Sequence, residues 1–215
     1  MNQTAPASGS FGSTTSRMIP MTSLGPTEIK DDIQGRFLRQ EWTPSIVSFK
    51  NTTASWRVPA LFDVYSNKLY FLENNQIMEF VDTVSEFSMI LIHKDDSFNV
   101  KFRSFYPAIH QNTRETFYEV LVDGEYQLLK CKAKTIYQFK EQDIPEAQRK
   151  YNKELYYAYF PNKQMVLIKK DREQVMAEVP SEYAEQVKSI IESKKLKLKN
   201  EESLKQLFKL LNEGR

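Results

Sequence analysis

The sequence has few of the residues on which compact catalytic and metal-binding sites depend. It contains one cysteine, Cys131, six glycines and two histidines. A single cysteine excludes an internal disulfide, and no His-x-x-x-His or Cys-x-x-Cys pair is present to indicate a zinc site. The phosphate-binding glycine motifs and the G-x-S-x-G elbow are also missing, which argues against nucleotide enzymes and α/β-hydrolases. We therefore predict neither a metal nor a cofactor.

Long apolar runs and a strong charge of one sign are missing as well. No stretch reaches the roughly 18 consecutive apolar residues of a membrane helix, so no transmembrane segment is predicted. The 30 basic and 28 acidic residues give a net charge of +2, which argues against a nucleic-acid partner. The first residues lack the apolar core of a signal peptide, so the chain is either cytoplasmic or an exported protein whose signal was removed.

Composition and periodicity divide the chain into three parts. Residues 1–34 are rich in Ser, Thr, Pro and Gly, and they predict an arm that is disordered or docks on a partner. Residues 35–170 alternate apolar and polar side chains with a period of two, which predicts an antiparallel β-domain. Residues 171–215 change to a helical period and predict a helical segment that packs on the β-domain.

Turn residues separate the predicted strands. Asn67 and Asn74 mark two turns, and Asp123-Gly124 is the strongest hairpin signal. Pro59 lacks the N–H that a central strand needs, so its strand is expected to lie at an edge or to be bulged there. The charged segment 140–153, "KEQDIPEAQRKYNK", is interpreted as an exposed connector between strands. One predicted strand face shares apolar side chains at every second position, namely Trp56, Val58, Ala60, Phe62 and Val64.

Three helix starts can be recognised in the C-terminal part. Asp171 is a candidate cap for a helix over 172–178, Ser181 for one that ends near Ser193, and Asn200 for a third. The third helix has an apolar stripe at helical spacing, made of Leu204, Leu207, Phe208 and Leu211. The predicted fold is α+β: mainly an antiparallel β-meander, as an open barrel or strongly twisted sheet, with two to three C-terminal helices.

Candidate functional residues come from the histidines and the aromatic side chains. His93 stands near Asp95 and Asp96, but a charged hairpin tip is more typical of a solvated turn than of a metal site. Cys131, in an apparent strand, is interpreted as a small buried hydrophobe. Adjacent strand residues point to opposite faces, so some tyrosines are expected outside the main core, as contacts for a partner or ligand. The alternative is that these rings lie under the helices or the arm. The predicted contact residues are Trp42, Phe105, Tyr106, His110, Tyr156, Tyr157 and Tyr159.

Several stretches resemble a family of uncharacterised secreted and cell-envelope proteins of Bacteroidota. They include the "DVYSNKLYF" hairpin, the "MEFVDTVSEF" strand, the "FYEVLVDGEYQLL" hairpin and the Lys/Leu-rich tail "KKLKLKNEESLKQLFKLLN". The resemblance as a whole covers most of residues 35–212. The first hairpin turns on "NTTA", where the family commonly has a turn with Gly. The resemblance implies export, and therefore a periplasmic or cell-surface location rather than a cytoplasmic one.

Three functions are compatible with these observations. The first is a non-catalytic binding or assembly module of the cell envelope, whose partner is another envelope protein. The second is a carrier of a small lipid or glycan, which requires an interior pocket. The third is a hydrolase that uses carboxylates or His110, which requires a cleft with two converging titratable groups.

Overall fold

The computed structural model describes residues 19–20, 37–74, 76–93, 96–139 and 147–214. These residues form eleven strands and three helices. The strands are β1 (Ile19–Pro20), β2 (Thr43–Phe49), β3 (Ser55–Asp63), β4 (Lys68–Glu73), β5 (Gln76–Glu79), β6 (Val84–His93), β7 (Asp96–Arg103), β8 (Tyr118–Val122), β9 (Gln127–Phe139), β10 (Ala147–Tyr159) and β11 (Met165–Ile168). The helices are α1 (Arg172–Glu178), α2 (Ser181–Ser193) and α3 (Glu201–Glu213).

The described strands make one open antiparallel sheet. Their order is β1-β5-β4-β3-β2-β6-β7-β8-β9-β10-β11. The short β1 lies at one edge beside β5, whereas β2 lies near the middle; β3 to β5 run outward from β2 toward β1, and β6 returns to the other side of β2. The three helices follow the last strand. The predicted α+β class, with an open twisted sheet and C-terminal helices, is confirmed.

The sheet curls strongly toward one face. The ring centroids of Phe62 on β3 and Phe102 on β7 are 5.0 Å apart, although β2 and β6 lie between their strands. Three strand spacings in a flat sheet would separate these strands by about 14 Å. We call the side that holds these rings the concave face. The predicted alternation on β3 is confirmed, because Ala60 and Phe62 are buried there and Trp56, Val58 and Val64 pack against the same cluster.

Both faces of the C-terminal half of the sheet carry a cluster of buried side chains. Residues directly paired across strands share a face, and the register links Phe102 to Glu119, Lys130, Tyr156 and Ile168 in turn. The helices therefore pack on the continuation of the concave face. Their buried contribution includes Val187, Ile191 and the predicted stripe Leu204, Leu207, Phe208 and Leu211. The opposite, convex face carries a second cluster around Tyr118, Leu129 and Tyr157.

The helix starts agree with the prediction at two places of three. Gln174 N–H donates to the Asp171 carboxylate at 3.0 Å, and Ser203 N–H donates to the Asn200 side chain at 2.8 Å. Ser181 was predicted to cap the second helix, but Pro180 is the cap residue and no side-chain bond is present there. Proline has no side-chain acceptor to act as a cap, and the Tyr183 N–H in the first turn instead donates to Pro180 C=O at 2.9 Å.

Gly124 is required by both backbone conformation and space. Its φ is +144°, a region that residues with a side chain rarely adopt. A Cβ at this position would lie 2.6 Å from the Asn212 side-chain oxygen. That oxygen accepts from Tyr126 N–H at 3.0 Å, and the Asn212 amide donates to Tyr126 C=O at 2.9 Å. The predicted hairpin thus also anchors the end of α3.

Pro59 and the segment 140–153 differ from expectation. Pro59 was expected on an edge strand or at a bulge, but β3 lies inside the sheet, where Pro59 is opposite Pro44 of β2. The β3–β4 ladder begins only at Ala60, so no residue of β4 requires the missing N–H of Pro59.

The connector predicted over 140–153 is shorter than expected, because β10 already begins at Ala147 and pairs with β9. The first half of β10 was not recognised as a strand because its residues do not alternate between apolar and polar, so they give no period-two signal. Of the N-terminal arm, only Ile19–Pro20 lies within the described residues, paired with β5.

Candidate functional site

Residues 104–117 join β7 to β8 without regular structure, and we call them the connecting loop. Its start is fixed to the sheet, because Ser104 N–H donates to Ser85 C=O at 2.9 Å. Its end is fixed to the β3–β4 turn, where Asn67 donates to Glu115 C=O and accepts from Phe117 N–H, each at 2.8 Å. The turn residue Asn67 therefore also holds the connecting loop against the concave face.

The middle of the connecting loop covers a tyrosine cluster on the convex face. Tyr106 packs edge-on against Tyr118 and Tyr159, with ring centroids 5.6 and 5.2 Å apart. The Asn112 amide donates to the hydroxyls of Tyr118 at 3.0 Å and Tyr157 at 3.1 Å. These bonds satisfy polar groups that burial would otherwise leave without a partner. The loop is thus held by specific side-chain bonds.

Two of the predicted contact residues have unusual backbone conformations in this loop. Phe105 has φ 66° and His110 has φ 52°, both in the left-handed region. This conformation costs roughly 1–2 kcal/mol for a residue with a side chain, and such strain is concentrated at functional sites. The Lys50 ammonium lies 4.5 Å from the Phe105 ring centre, and Phe105 N–H donates to Arg114 C=O at 2.6 Å. His110 is exposed at the loop tip.

Beneath the connecting loop, the concave face contains a cleft of about 190 Å³. Its apolar wall is formed by Phe62, Phe102 and Phe117, and its polar floor by Glu119, Lys130 and Lys132. It lies at the junction between the phenylalanine core and the helical layer. We refer to this feature as the cleft.

A network of ion pairs and hydrogen bonds centred on the buried Lys130 forms one side of the cleft. Lys130 is only 9% exposed, and its ammonium lies 3.1 Å from carboxylate oxygens of both Glu119 and Glu201. The Tyr156 hydroxyl donates to Glu201 at 3.0 Å, and Lys205 lies 3.0 Å from the same carboxylate. The network connects β8, β9 and β10 to the first turn of α3. A buried charge requires such partners, because an unpaired one is strongly destabilising.

Three groups in and around the cleft have pKa values shifted from their usual ones. Burial acts to raise the pKa of Glu201, but hydrogen bonds from Lys205, Lys130 and Tyr156 outweigh it and bring the pKa to about 2. Burial acts to lower the pKa of Lys130, yet Glu119 and Glu201 hold it above its usual value. Burial also raises the pKa of the Cys131 thiol to about 11. These three groups therefore keep one protonation state near pH 7.

A second depression, of about 390 Å³, lies where β2 begins, and we call it the Trp42 groove. Trp42, Pro44 and Ile90 form its apolar part, and Arg39, Gln40 and Glu41 lie along it. Ile46 is paired with Ser88, so it shares the convex face with Ile90. These two isoleucines are 39% and 45% exposed.

The structure separates the predicted contact residues into two groups. Tyr106, Tyr156 and Tyr157 are buried at 5%, 3% and 1% exposure. Tyr156 lies under the helices, Tyr157 lies under the connecting loop, and Tyr106 is a residue of that loop that packs onto the tyrosine cluster. Trp42, Phe105 and Tyr159 are half-buried, and His110 is exposed. Trp42 borders its groove and the loop residues lie apart from it, so the structure does not bring the predicted residues together in one site.

The ionic network was not recognised in the sequence. A partial signal was present in the strand segment "QLLKCK". Lys130 is two residues after the apolar Leu128, so the two side chains point to the same face of the strand. A lysine at an inward position implies a buried acidic partner. The identity of that partner, 71 residues further on, follows only from the packing of α3.

The described residues contain neither a cluster of metal ligands nor a helix that could cross a membrane. They contain no group of three or more His, Cys, Asp or Glu side chains arranged to hold a metal ion. His93 ends β6, and its neighbours 94–95 are outside the described residues. Within the same ranges, no helix has the length and apolar character needed to cross a membrane.

Comparison with known proteins gives no assignment. No protein-family model, curated protein or solved structure matches the chain.

Proposed function

We propose that the chain is a non-catalytic binding or assembly module of the bacterial cell envelope, in the periplasm or at the cell surface. Its partner is another envelope protein, which the Trp42 groove contacts. The observation that carries this proposal is the groove itself, with an apolar centre of Trp42, Pro44 and Ile90 beside polar residues 39–41. An apolar centre with a polar rim is typical of protein–protein contacts.

The exposed isoleucines next to the groove support the same function. Ile46 and Ile90 are on one face of adjacent strands, and Ile90 also lines the groove together with Trp42. Contiguous exposed apolar patches commonly mark interaction sites. Rings of Trp and branched aliphatic side chains on a rigid sheet also lose little conformational entropy on binding.

The cleft supports this proposal over the two alternatives. The cleft, at about 190 Å³, is smaller than the roughly 300–1,000 Å³ of typical ligand pockets, so the cleft itself does not suit a lipid or glycan; the Trp42 groove, at about 390 Å³, is within that range. An acid–base catalyst needs a pKa near the working pH. The pKa of Glu201, at about 2, and the raised pKa of Lys130 lie on opposite sides of that range. The paired charges instead fix α3 to the sheet.

Affinity isolation from the native envelope tests the proposal. The immobilised wild-type chain, Ile90→Asp and Val81→Asp would each be incubated with detergent-solubilised envelope, and bound proteins quantified by mass spectrometry. Val81 is a matched control because it is 46% exposed, like Ile90 at 45%, but lies outside the groove. We expect one protein at stoichiometric amount with wild type and Val81→Asp, and its loss with Ile90→Asp.

Two outcomes of this isolation would contradict the proposal. One is that no protein is recovered at stoichiometric amount with the wild-type chain. The other is equal recovery with Ile90→Asp and Val81→Asp, which would remove the Trp42 groove as the contact surface. Urea unfolding of both variants controls for loss of folding.

A further inference from the structure

Strands β9 and β10 extend beyond their neighbours in the described sheet. The β8–β9 pairing ends at Glu119↔Lys130, and the β10–β11 pairing ends at Tyr156↔Ile168. The β9–β10 register nevertheless continues to Ala147↔Phe139. Among the described residues, 131–139 and 147–155 thus form a two-stranded ribbon without a third strand.

The hydrogen-bond alternation shows which backbone groups face the open side of β9. Phe160 N–H donates to Gln164 C=O at 3.0 Å, in register with the β10–β11 pairs. In antiparallel pairs the bonding residues alternate, so even-numbered residues of β10 bond to β11 and odd-numbered ones to β9. The odd-numbered residues of β9 therefore bond to β10. The groups directed to the open edge belong to Lys132, Lys134, Ile136 and Gln138.

The open edge begins at the cleft. Phe117 N–H donates to the Asn67 side chain at 2.8 Å, so the chain turns away from β9 and β8 starts only at Tyr118. Lys132, the first residue of the open edge, lines the cleft beside Phe117. An added strand would therefore continue the line of β8 and end beside the cleft.

Physical chemistry favours an occupant for this edge. A two-stranded ribbon is marginally stable alone in water, and a third strand stabilises it. Unpaired backbone N–H and C=O groups along a strand are also a template for pairing with another chain. Strand addition satisfies these groups through main-chain bonds, largely independently of sequence.

The charges of the ribbon select the kind of strand. Residues 131–139 contain two lysines, and residues 147–155 contain three basic residues and one acidic residue, Glu154, so the ribbon has a formal net charge of +4. Like charge disfavours the same ribbon of a second copy, whereas opposite charge favours association. We propose that the open edge of β9 accepts an extended acidic segment of a partner protein by strand addition. This inference deepens the proposed function and rests on it, because it names a contact segment of the partner.

A model peptide tests the inference without knowledge of the partner. A fluorescein-labelled peptide of alternating Glu and Val, and a control of alternating Lys and Val, would be titrated with the full chain by fluorescence anisotropy. Amide hydrogen exchange measured by NMR would follow the bound state. We expect the Glu/Val peptide alone to bind and to slow exchange at Lys132, Lys134, Ile136 and Gln138.

Two substitutions at one position separate strand addition from simple charge attraction. Lys134→Pro removes one edge N–H, which an edge strand tolerates, and should weaken peptide binding roughly tenfold. Lys134→Ala removes the same charge but keeps the N–H, and should weaken binding by less than about threefold. Ile136→Pro provides a second edge variant if Lys134→Pro does not fold.

Four results would overturn the inference. They are no binding of the Glu/Val peptide, binding without slower exchange at the edge amides, equal loss with Lys134→Ala and Lys134→Pro, and edge amides already protected in the free chain. In the last case, dependence on protein concentration would identify a second copy, and independence a segment of the same chain. A stoichiometric envelope partner recovered alongside any of these results would leave the proposed function standing and remove strand addition alone.

Discussion

Replacing Glu201 with Gln should destabilise the fold at neutral pH and leave it unchanged in strong acid. The carboxylate bonds Lys130 of β9, Lys205 of α3 and the Tyr156 hydroxyl. These contacts bring its pKa from 4.5 to about 2. At 1.36 kcal/mol per pKa unit this corresponds to about 3 kcal/mol. Glu201 is 28% exposed, so solvent screening should reduce the effect to about 2 kcal/mol.

The sign of the pH dependence follows from the lowered pKa of Glu201. A carboxyl group whose pKa is lower in the folded than in the unfolded protein stabilises the fold fully above the unfolded value. That contribution should therefore be complete above pH 4.5 and be lost as the pH falls through about 2. Urea unfolding of wild type and Glu201→Gln across this range measures the difference in free energy of unfolding.

Glu202→Gln is the matched control. Glu202 lies in the same first turn of α3 and its substitution removes the same charge, but its side chain is 76% exposed and its carboxylate is 4.0 Å from the Lys205 ammonium, farther than the 3.0 Å of Glu201. Its substitution should change the free energy of unfolding by less than about 0.5 kcal/mol. Equal effects of the two substitutions, or a Glu201→Gln effect that does not diminish in acid, would refute the assigned role of the network.

Three further predictions concern the hairpin, the thiol and the connecting loop. Gly124→Ala should lower the free energy of unfolding by about 2–3 kcal/mol, because the residue has a positive φ and the added Cβ would meet the Asn212 side chain. Gly214→Ala has more space and should change the free energy of unfolding by less than about 0.5 kcal/mol; urea unfolding of both variants measures the difference. Cys131 should react with iodoacetamide at pH 8 roughly 100-fold more slowly than an unfolded cysteine, because burial raises its thiol pKa from 9.0 to about 11; equal rates would contradict this. Asn112→Ala should cost about 2 kcal/mol, measured by thermal unfolding, because it leaves the buried Tyr157 hydroxyl without its donor, and an unchanged melting temperature would argue against that bond.

Local rules predicted the elements whose causes are local. The side-chain caps at Asp171 and Asn200 and the Asp123-Gly124 hairpin depend on residues close in sequence, so their patterns could be read directly. The cap at Ser181 was misplaced by one position because a serine beside a proline is compatible with either residue at the cap. The length of β10 was underestimated because its first half carries no apolar alternation.

The candidate site depends on contacts that no local pattern contains. Lys130 and Glu201 are brought together only when α3 packs on the sheet, and Asn67 reaches the connecting loop only because the sheet curls. The exposure of aromatic residues also follows from long-range packing. Trp42 directly precedes β2 and borders a surface groove, whereas Tyr157 lies within β10 and is 1% exposed.

Native mass spectrometry of the chain purified under non-denaturing conditions from the cells that produce it tests the central claim most directly. The account predicts a complex whose added mass is that of one protein, and which Ile90→Asp dissociates while Val81→Asp does not. An added mass in the range of a lipid or glycan would contradict it and favour a carrier. Wild-type chain recovered without any added protein, under conditions that preserve other envelope complexes, would contradict it as well.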